Sequence, residues 1–257
     1  MSAAFQVHPV RAFKDNYIWV LRSGRHAAVV DPGDARPVLD YLDAEGLQLT
    51  AILATHHHAD HVGGVAGLLA KFDVPVYGPK SEPIETLTHK VSGGDRVDVP
   101  DIHASFTVYD IPGHTRAHVA YYGEKSLFCG DTLFACGCGR VFEGTPEQLY
   151  ASLQKLAALP DDTLVYCGHE YTLANIVFAK AVEPANPALS DRERAEAAVR
   201  AQGRPTLPST LGREKATNPF LRCAEPAVIA SANKYLGSRA STPVQVFAAL
   251  RDWKNRF

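Results

Sequence analysis

Ala51-Ile-Leu-Ala-Thr-His-His-His-Ala-Asp-His-Val-Gly-Gly64 places four of the chain's eleven histidines within six residues. Its apolar opening, residues 51–54, reads as a short buried strand, so the histidines stand at a strand's C-terminal end. Open α/β sheets gather their chemistry at such ends. Imidazole is the commonest metal ligand, and a carboxylate among imidazoles suits zinc, iron or manganese. His56 and His58, two apart on extended backbone, point the same way. Asp60 and His61 open the next element and face a second position. The pattern is that of a site for two metals.

Two ions need more donors than this segment holds, so further His and Asp residues are expected at other strand ends. Three runs supply them. Phe106–Ile111 stops at Pro112-Gly113 and delivers His114, Ser126–Gly130 runs into Asp131, and Thr163–Cys167 passes Gly168 to His169. The sharing that follows gives His56, His58 and His114 to one ion and Asp60, His61 and His169 to the other. Asp131 bridges them, because one carboxylate can partly neutralise both cations. Water held between two ions ionises near pH ~7 rather than ~15.7 and becomes a nucleophile. A merely histidine-rich solvated loop would explain neither the strand before the cluster nor the matched donors downstream. His57 faces away from its neighbours and is read as a supporting or packing residue. His118 is read in the same way. Asp31, closing the strand Ala27–Val30, either orients a ligand histidine or simply forms a turn.

Composition narrows the rest. The 257 residues, 46% of them apolar, suffice for one large or two modest domains. No apolar run approaches the ~20 residues of a membrane span. The first residues lack a basic segment followed by an apolar one, and the five cysteines are an odd number; both point to a reducing, cytoplasmic setting. The net charge of −2 hides an asymmetry: residues 1–170 hold 13 Lys/Arg against 21 Asp/Glu, residues 171–257 hold 13 against 7. An acidic part suits metal binding and a basic part an anionic substrate. No continuous basic stripe with interleaved aromatics marks a nucleic-acid binder.

Up to about residue 170, β-like runs dominate: Tyr17–Leu21, Ala27–Val30, Ala51–Ala54, Val74–Tyr77, Phe106–Ile111, His118–Tyr122, Leu127–Cys129 and Leu164–Cys167. Thr145-Pro-Glu-Gln148 is a capping box with proline at the first helical position. From about 172 the texture becomes Ala-rich and helical, with helices at Asp191–Ala201, at Pro226–Leu236 and from Thr242 onward. In the last of these Val246, Leu250, Trp253 and Phe257 form an apolar stripe. Arg251 and Lys254, three apart, share a face beside it. Taken alone, that is a solvated basic face.

Taken in order, His-x-His-x-Asp-His, His114, Asp131 and His169 resemble the metallo-β-lactamase superfamily. Further stretches are similar to the hydroxyacylglutathione hydrolases, or glyoxalase II family. They are Pro112–Thr115, Cys129–Phe134, Cys136–Arg140, Phe142–Thr145, Cys167–Thr172 and Asn218–Arg222. The resemblance implies an α/β fold, a four-layer αββα sandwich over residues 1–171 carrying the metals. A mainly helical substrate-binding domain would follow over 172–257. It implies hydrolysis of S-(2-hydroxyacyl)glutathione, chiefly S-lactoylglutathione, to glutathione and D-lactate, the second step of methylglyoxal detoxification. A metal-bridging hydroxide held by two ions, zinc foremost, would attack the thioester carbonyl, with Asp60 and Asp131 as the catalytic carboxylates. Arg140, Phe142, Tyr171, Arg251 and Lys254 match substrate-contact positions, the last two for a glutathione carboxylate. The chain departs from some relatives by Arg140 for Lys, which keeps the cation and adds a planar fork. Phe142 for Tyr removes a hydroxyl. A monomer acting on a small glutathione thioester, with no nucleic-acid or membrane partner, is expected. A thioesterase for another thiol carrier, a persulfide dioxygenase, a β-lactamase and a metal-stabilised binding scaffold are the alternatives. The full second-metal set and the basic C-terminal pair weigh against them.

Overall fold

Parallel pairing of short apolar strands is what brings the ends of distant segments side by side in this chain. The computed structural model describes residues 5–257, which form two compact units interleaved along the sequence. One unit comprises residues up to Asp110, Thr115–Gly130 and Tyr166–His169; the other comprises Ile111–His114, Asp131–Val165 and Glu170–Phe257.

The first unit opens with strands β1 (Gln6–Ala12), β2 (Asn16–Ser23) and β3 (His26–Val30), then helix α1 (Ala35–Glu45) and β4 (Gln48–Leu53). Two short helices, α2 (Ala59–Val62) and α3 (Val65–Leu69), precede β5 (Val76–Pro79), β6 (His89–Val91) and β7 (Arg96–Val99). The strands β8 (Ala104–Asp110), β9 (Val119–Gly123) and β10 (Ser126–Gly130) follow. Strands β1 to β6 lie in sequence order in one sheet, antiparallel at first and parallel from β3 onward. Since β3 and β4 are parallel, with Val30 opposite Leu53, the residues leaving both strands emerge together. Ala27 and Val29 pack with Val38 and Leu42 of α1 and Val65 and Leu68 of α3. Ala28 and Val30, pointing the other way, are buried too. A strand buried on both faces is apolar throughout, as parallel sheets require.

A second sheet holds β10, β9, β8 and β7 in that order, with Tyr166–Cys167 of β13 (Leu164–Cys167) beside β10. Trp19 of β2 meets Tyr166 edge-on at 4.9 Å, and Phe128 stacks on Tyr166 at the same distance. These rings, with the Tyr121 hydroxyl donating to Ala54 O at 2.9 Å, join the two sheets.

The second unit contains the hairpin β11 (Leu133–Phe134) and β12 (Gly137–Cys138), then helix α4 (Pro146–Ala157) and the opening residues of β13, which pair with β14 (Ser209–Thr210). Helices α5 (Thr172–Val182), α6 (Pro187–Ala201), α7 (Leu211–Thr217), α8 (Pro226–Leu236) and α9 (Pro243–Arg256) complete it. The expected capping box at Thr145 and Gln148 is present. So are helices over the three segments read from the C-terminal part, the first extended back to Pro187, where Asn186 caps it. Strand β1 and helix α1 were not expected, and α5 falls in the part read as helical from about 172 without its bounds being given. β1 is an edge strand with an irregular exposure pattern, and α5 is too uniformly apolar to show a stripe.

Many of the basic residues in the second unit are occupied within it. Buried Arg192 donates to Glu214 (2.6 Å), Ser209 (3.1 Å) and Thr217 (2.5 Å). Arg213 pairs with Glu196, and Arg222 with Glu183. All five cysteines are buried thiols, and Cys136 and Cys138 lie in the hairpin around β11 and β12. Among the described residues, no helix is long and apolar enough to cross a membrane.

Candidate functional site

In the first unit the segment after β4 turns His56 inward and starts α2 at Ala59, so Asp60 and His61 occupy its first turn. His56 Nε2 and His58 Nδ1 lie 3.1 Å apart. Asp60 Oδ2 lies 3.6 Å from His61 Nε2 and 3.4 Å from His169 Nε2. The donor atoms of Asp60, His61 and His169 all fall within 4.8 Å of one another. Lone-pair donors crowded in this way, three of the imidazoles buried, are the arrangement that a divalent cation satisfies.

The opposite ring nitrogens are held. Asp31, whose backbone takes φ 53°, accepts from Thr55 N (2.8 Å) and Thr55 Oγ1 (2.7 Å) and lies 3.1 Å from His61 Nδ1. It is therefore both a turn residue and an orienter of His61. His169 Nδ1 lies 2.8 Å from Asp15 Oδ1, and His56 Nδ1 lies 3.0 Å from Thr55 Oγ1. Pinning Nδ1 to a carboxylate or hydroxyl fixes ring orientation and aims Nε2, the usual arrangement around metal-binding histidines. Asn16 Nδ2 donates to Asp60 Oδ2 at 3.0 Å. His118 stacks on His56 at 4.5 Å, and His57 is gripped by Glu82. Asp15, Asn16 and Glu82 were missed by sequence reasoning; Asp15 lies in the β1–β2 turn, Asn16 opens β2 and Glu82 lies between β5 and β6, none of them within a motif.

Glycine is required behind Asp60. A Cβ on Gly33 would stand 1.9 Å from Asp60 O. In the second unit a Cβ on Gly139 would stand at that same distance from Asp131 O.

The second unit holds His114, Asp131, Arg140, Phe142, Tyr171, Arg251 and Lys254, and all seven line one cavity of about 450 Å³. His114 Nε2 lies 3.6 Å from Asp131 Oδ2, and its Nδ1 lies 2.9 Å from Arg140 O. Phe142, 60% exposed, meets the His114 ring edge-on at 5.3 Å. Tyr171 caps α5 and packs on Phe134. Arg251 is not on a solvated face: it is 4% exposed, donates to Cys138 O at 2.8 Å and lies over the Phe220 ring. Lys254 donates to Asn175 Oδ1. Burial, with Arg251 as a cationic neighbour, pushes its ammonium down to about 8.

Residues 12–169 match the family described as the metallo-beta-lactamase superfamily, and residues 170–257 match the hydroxyacylglutathione hydrolase C-terminus. A hydroxyacylglutathione hydrolase from Nitrosomonas eutropha is 57% identical over 98% of both chains. Among solved structures, ETHE1 from Myxococcus xanthus is similar with a TM-score of 0.65 and 26% identity, covering 97% of each chain. A di-iron-bound form of TTHA1623 gives 0.61 and 28%, covering 83% of this chain and all of that one. With an α/β fold, a His/Asp cluster at its strand ends and matches along nearly its whole length, the chain belongs to the hydroxyacylglutathione hydrolase family within the metallo-β-lactamase superfamily.

Proposed function

We propose that this chain hydrolyses S-(2-hydroxyacyl)glutathione, chiefly S-lactoylglutathione, to glutathione and D-lactate, as a zinc-dependent cytoplasmic monomer. One observation carries the reading: a single cavity is lined by two expected metal donors, His114 and Asp131, and by two cations, Arg251 and Lys254. Such a cavity suits a carboxylate-bearing thiol presented to hydrolytic chemistry. In this reading His56, His58 and His114 would hold one ion, Asp60, His61 and His169 the other, with Asp131 shared between them. Residues 1–171 act as the catalytic domain and 172–257 as the substrate-binding one.

When bound, two divalent ions would acidify a water and polarise the thioester carbonyl. The chain's own groups do the rest. Asp31 and Asp15 hold Nδ1 of His61 and His169, and Arg140 O holds that of His114, so these rings are already oriented. Lys254 and Arg251 draw the glutathione carboxylate, Tyr171 and Phe142 wall the cavity, and Arg140 adds a cation near His114. A thiolate is a good leaving group, so no protein acid is required.

The test is initial-rate hydrolysis of S-D-lactoylglutathione against the same acyl group on a thiol without glutathione's carboxylates. Preference for the glutathione ester, lost in Arg251→Ala/Lys254→Ala, is the expected result. Equal turnover of the two esters would remove glutathione from the reading.

A further inference from the structure

Glu82 lies in the turn between β5 and β6, yet it is 7% exposed. Both carboxylate oxygens are engaged. Oε1 accepts from Thr115 Oγ1 at 2.6 Å and from Ala117 N at 3.0 Å. Oε2 accepts from His57 N at 2.9 Å and contacts His57 Nδ1. The two oxygens thus hold two segments far apart in sequence. His57 is flanked by His56 and His58, and Thr115 directly follows His114 in the chain.

We infer that Glu82 is a positioning residue for metal binding: it keeps the 56–58 and 115–117 segments in register without itself ligating an ion. The inference rests on the binuclear reading above. The chemistry calls for a carboxylate. Four partners converge on a group that, when ionised, only accepts. An amide of the same shape has one accepting oxygen, and its NH2 would confront backbone N–H groups in a buried place, where an unmet donor is costly. The grip on His57, between two expected ligands, engages both its N–H and its Nδ1 on one oxygen and so fixes the backbone and ring of that residue.

The test measures Zn2+ affinity by competition with a chromophoric chelator, beside the thermal midpoint and circular dichroism of the metal-free protein. Wild type is expected to take two zinc ions per chain. Glu82→Gln should bind zinc about 10–100-fold more weakly, the range for outer partners of metal ligands, while the metal-free protein keeps its fold. The exposed neighbour variant Glu85→Gln should match wild type. A Glu82→Gln protein that binds two zinc ions within twofold of wild type overturns the inference and leaves the binuclear reading standing. A wild-type protein that takes up no zinc overturns both. Should Glu82→Gln fail to fold, Thr115→Val, which removes a single donor from Oε1, decides: a severalfold loss of affinity supports the role, and none overturns it.

Discussion

Asp15 Oδ1 lies 2.8 Å from His169 Nδ1, tying the β1–β2 turn to a residue just beyond β13, 154 positions away. The carboxylate favours the tautomer with its proton on Nδ1, leaving the Nε2 lone pair directed at the Asp60 side. Asp15→Ala should therefore weaken uptake of zinc by about 10–100-fold, read by calorimetric titration. Two-site binding indistinguishable from wild type would show that His169 needs no such support.

Gly139→Ala should act at a distance from any side-chain chemistry. Its Cβ would meet Asp131 O at 1.9 Å and His114 Nδ1 at 3.1 Å, so the backbone must give way. A shift near 1 Å at reacting groups can cost about 100-fold. The expected outcome is such a fall in kcat/KM with a folded protein by circular dichroism. Activity within threefold of wild type would mean that the loop accommodates the methyl.

If Lys254 holds a substrate carboxylate, as proposed, pH should be linked to substrate affinity. Burial holds its ammonium near pH 8, so the charge is present below that value and lost as pH rises through it. Binding of a non-hydrolysable S-alkylglutathione should weaken between about pH 7.5 and 9, and Lys254→Arg, charged throughout, should remove the step. An identical profile for the two proteins would assign the titration elsewhere.

Glu214 is completely buried, accepts from Arg192 at 2.6 Å, and receives Cys136 N at 2.8 Å on its other oxygen. Glu214→Ala takes the nearer carboxylate from a buried guanidinium, leaving Glu196 at 3.7 Å, and should cost about 3–5 kcal/mol, whereas Arg192→Met/Glu214→Leu should cost less. Urea midpoints compare them; a double variant weaker than the single one would contradict this account.

The donors of 55–61 were legible because spacing on a strand end and on the first turn of a helix is a local property. Their supports were not. Asp15, Asn16 and Glu82 reach His169, Asp60 and His57 through chain reversals and parallel strand pairing, which leave no periodic trace near those residues. For Asp31 both the turn and the orienting of a ligand histidine were readable as alternatives, but that it holds both roles, and that the histidine is His61, depends on β3 and β4 lying side by side. In the C-terminal part the start of α9 was readable from its Thr242 cap, whereas Asn186, which caps α6, was passed over. Burial of Arg251 was not readable, because periodicity shows which residues share a face and not what covers that face. Phe257, read as part of the α9 stripe, packs on Phe178 yet is 62% exposed, since the helix ends there.

The five buried cysteines take on meaning once the product is a thiol. Burial raises the Cys136 thiol to about 12 and pushes Cys138 and Cys223 upward as well. Exchange with a disulfide requires an accessible thiolate. An enzyme that releases glutathione at each turnover works where glutathione disulfide is also met, and the five cysteine thiols of this chain are buried, Cys138 in the wall of the cavity itself. Mixed disulfides should therefore form slowly on the folded protein, and its activity should change little with the redox state of the pool it feeds.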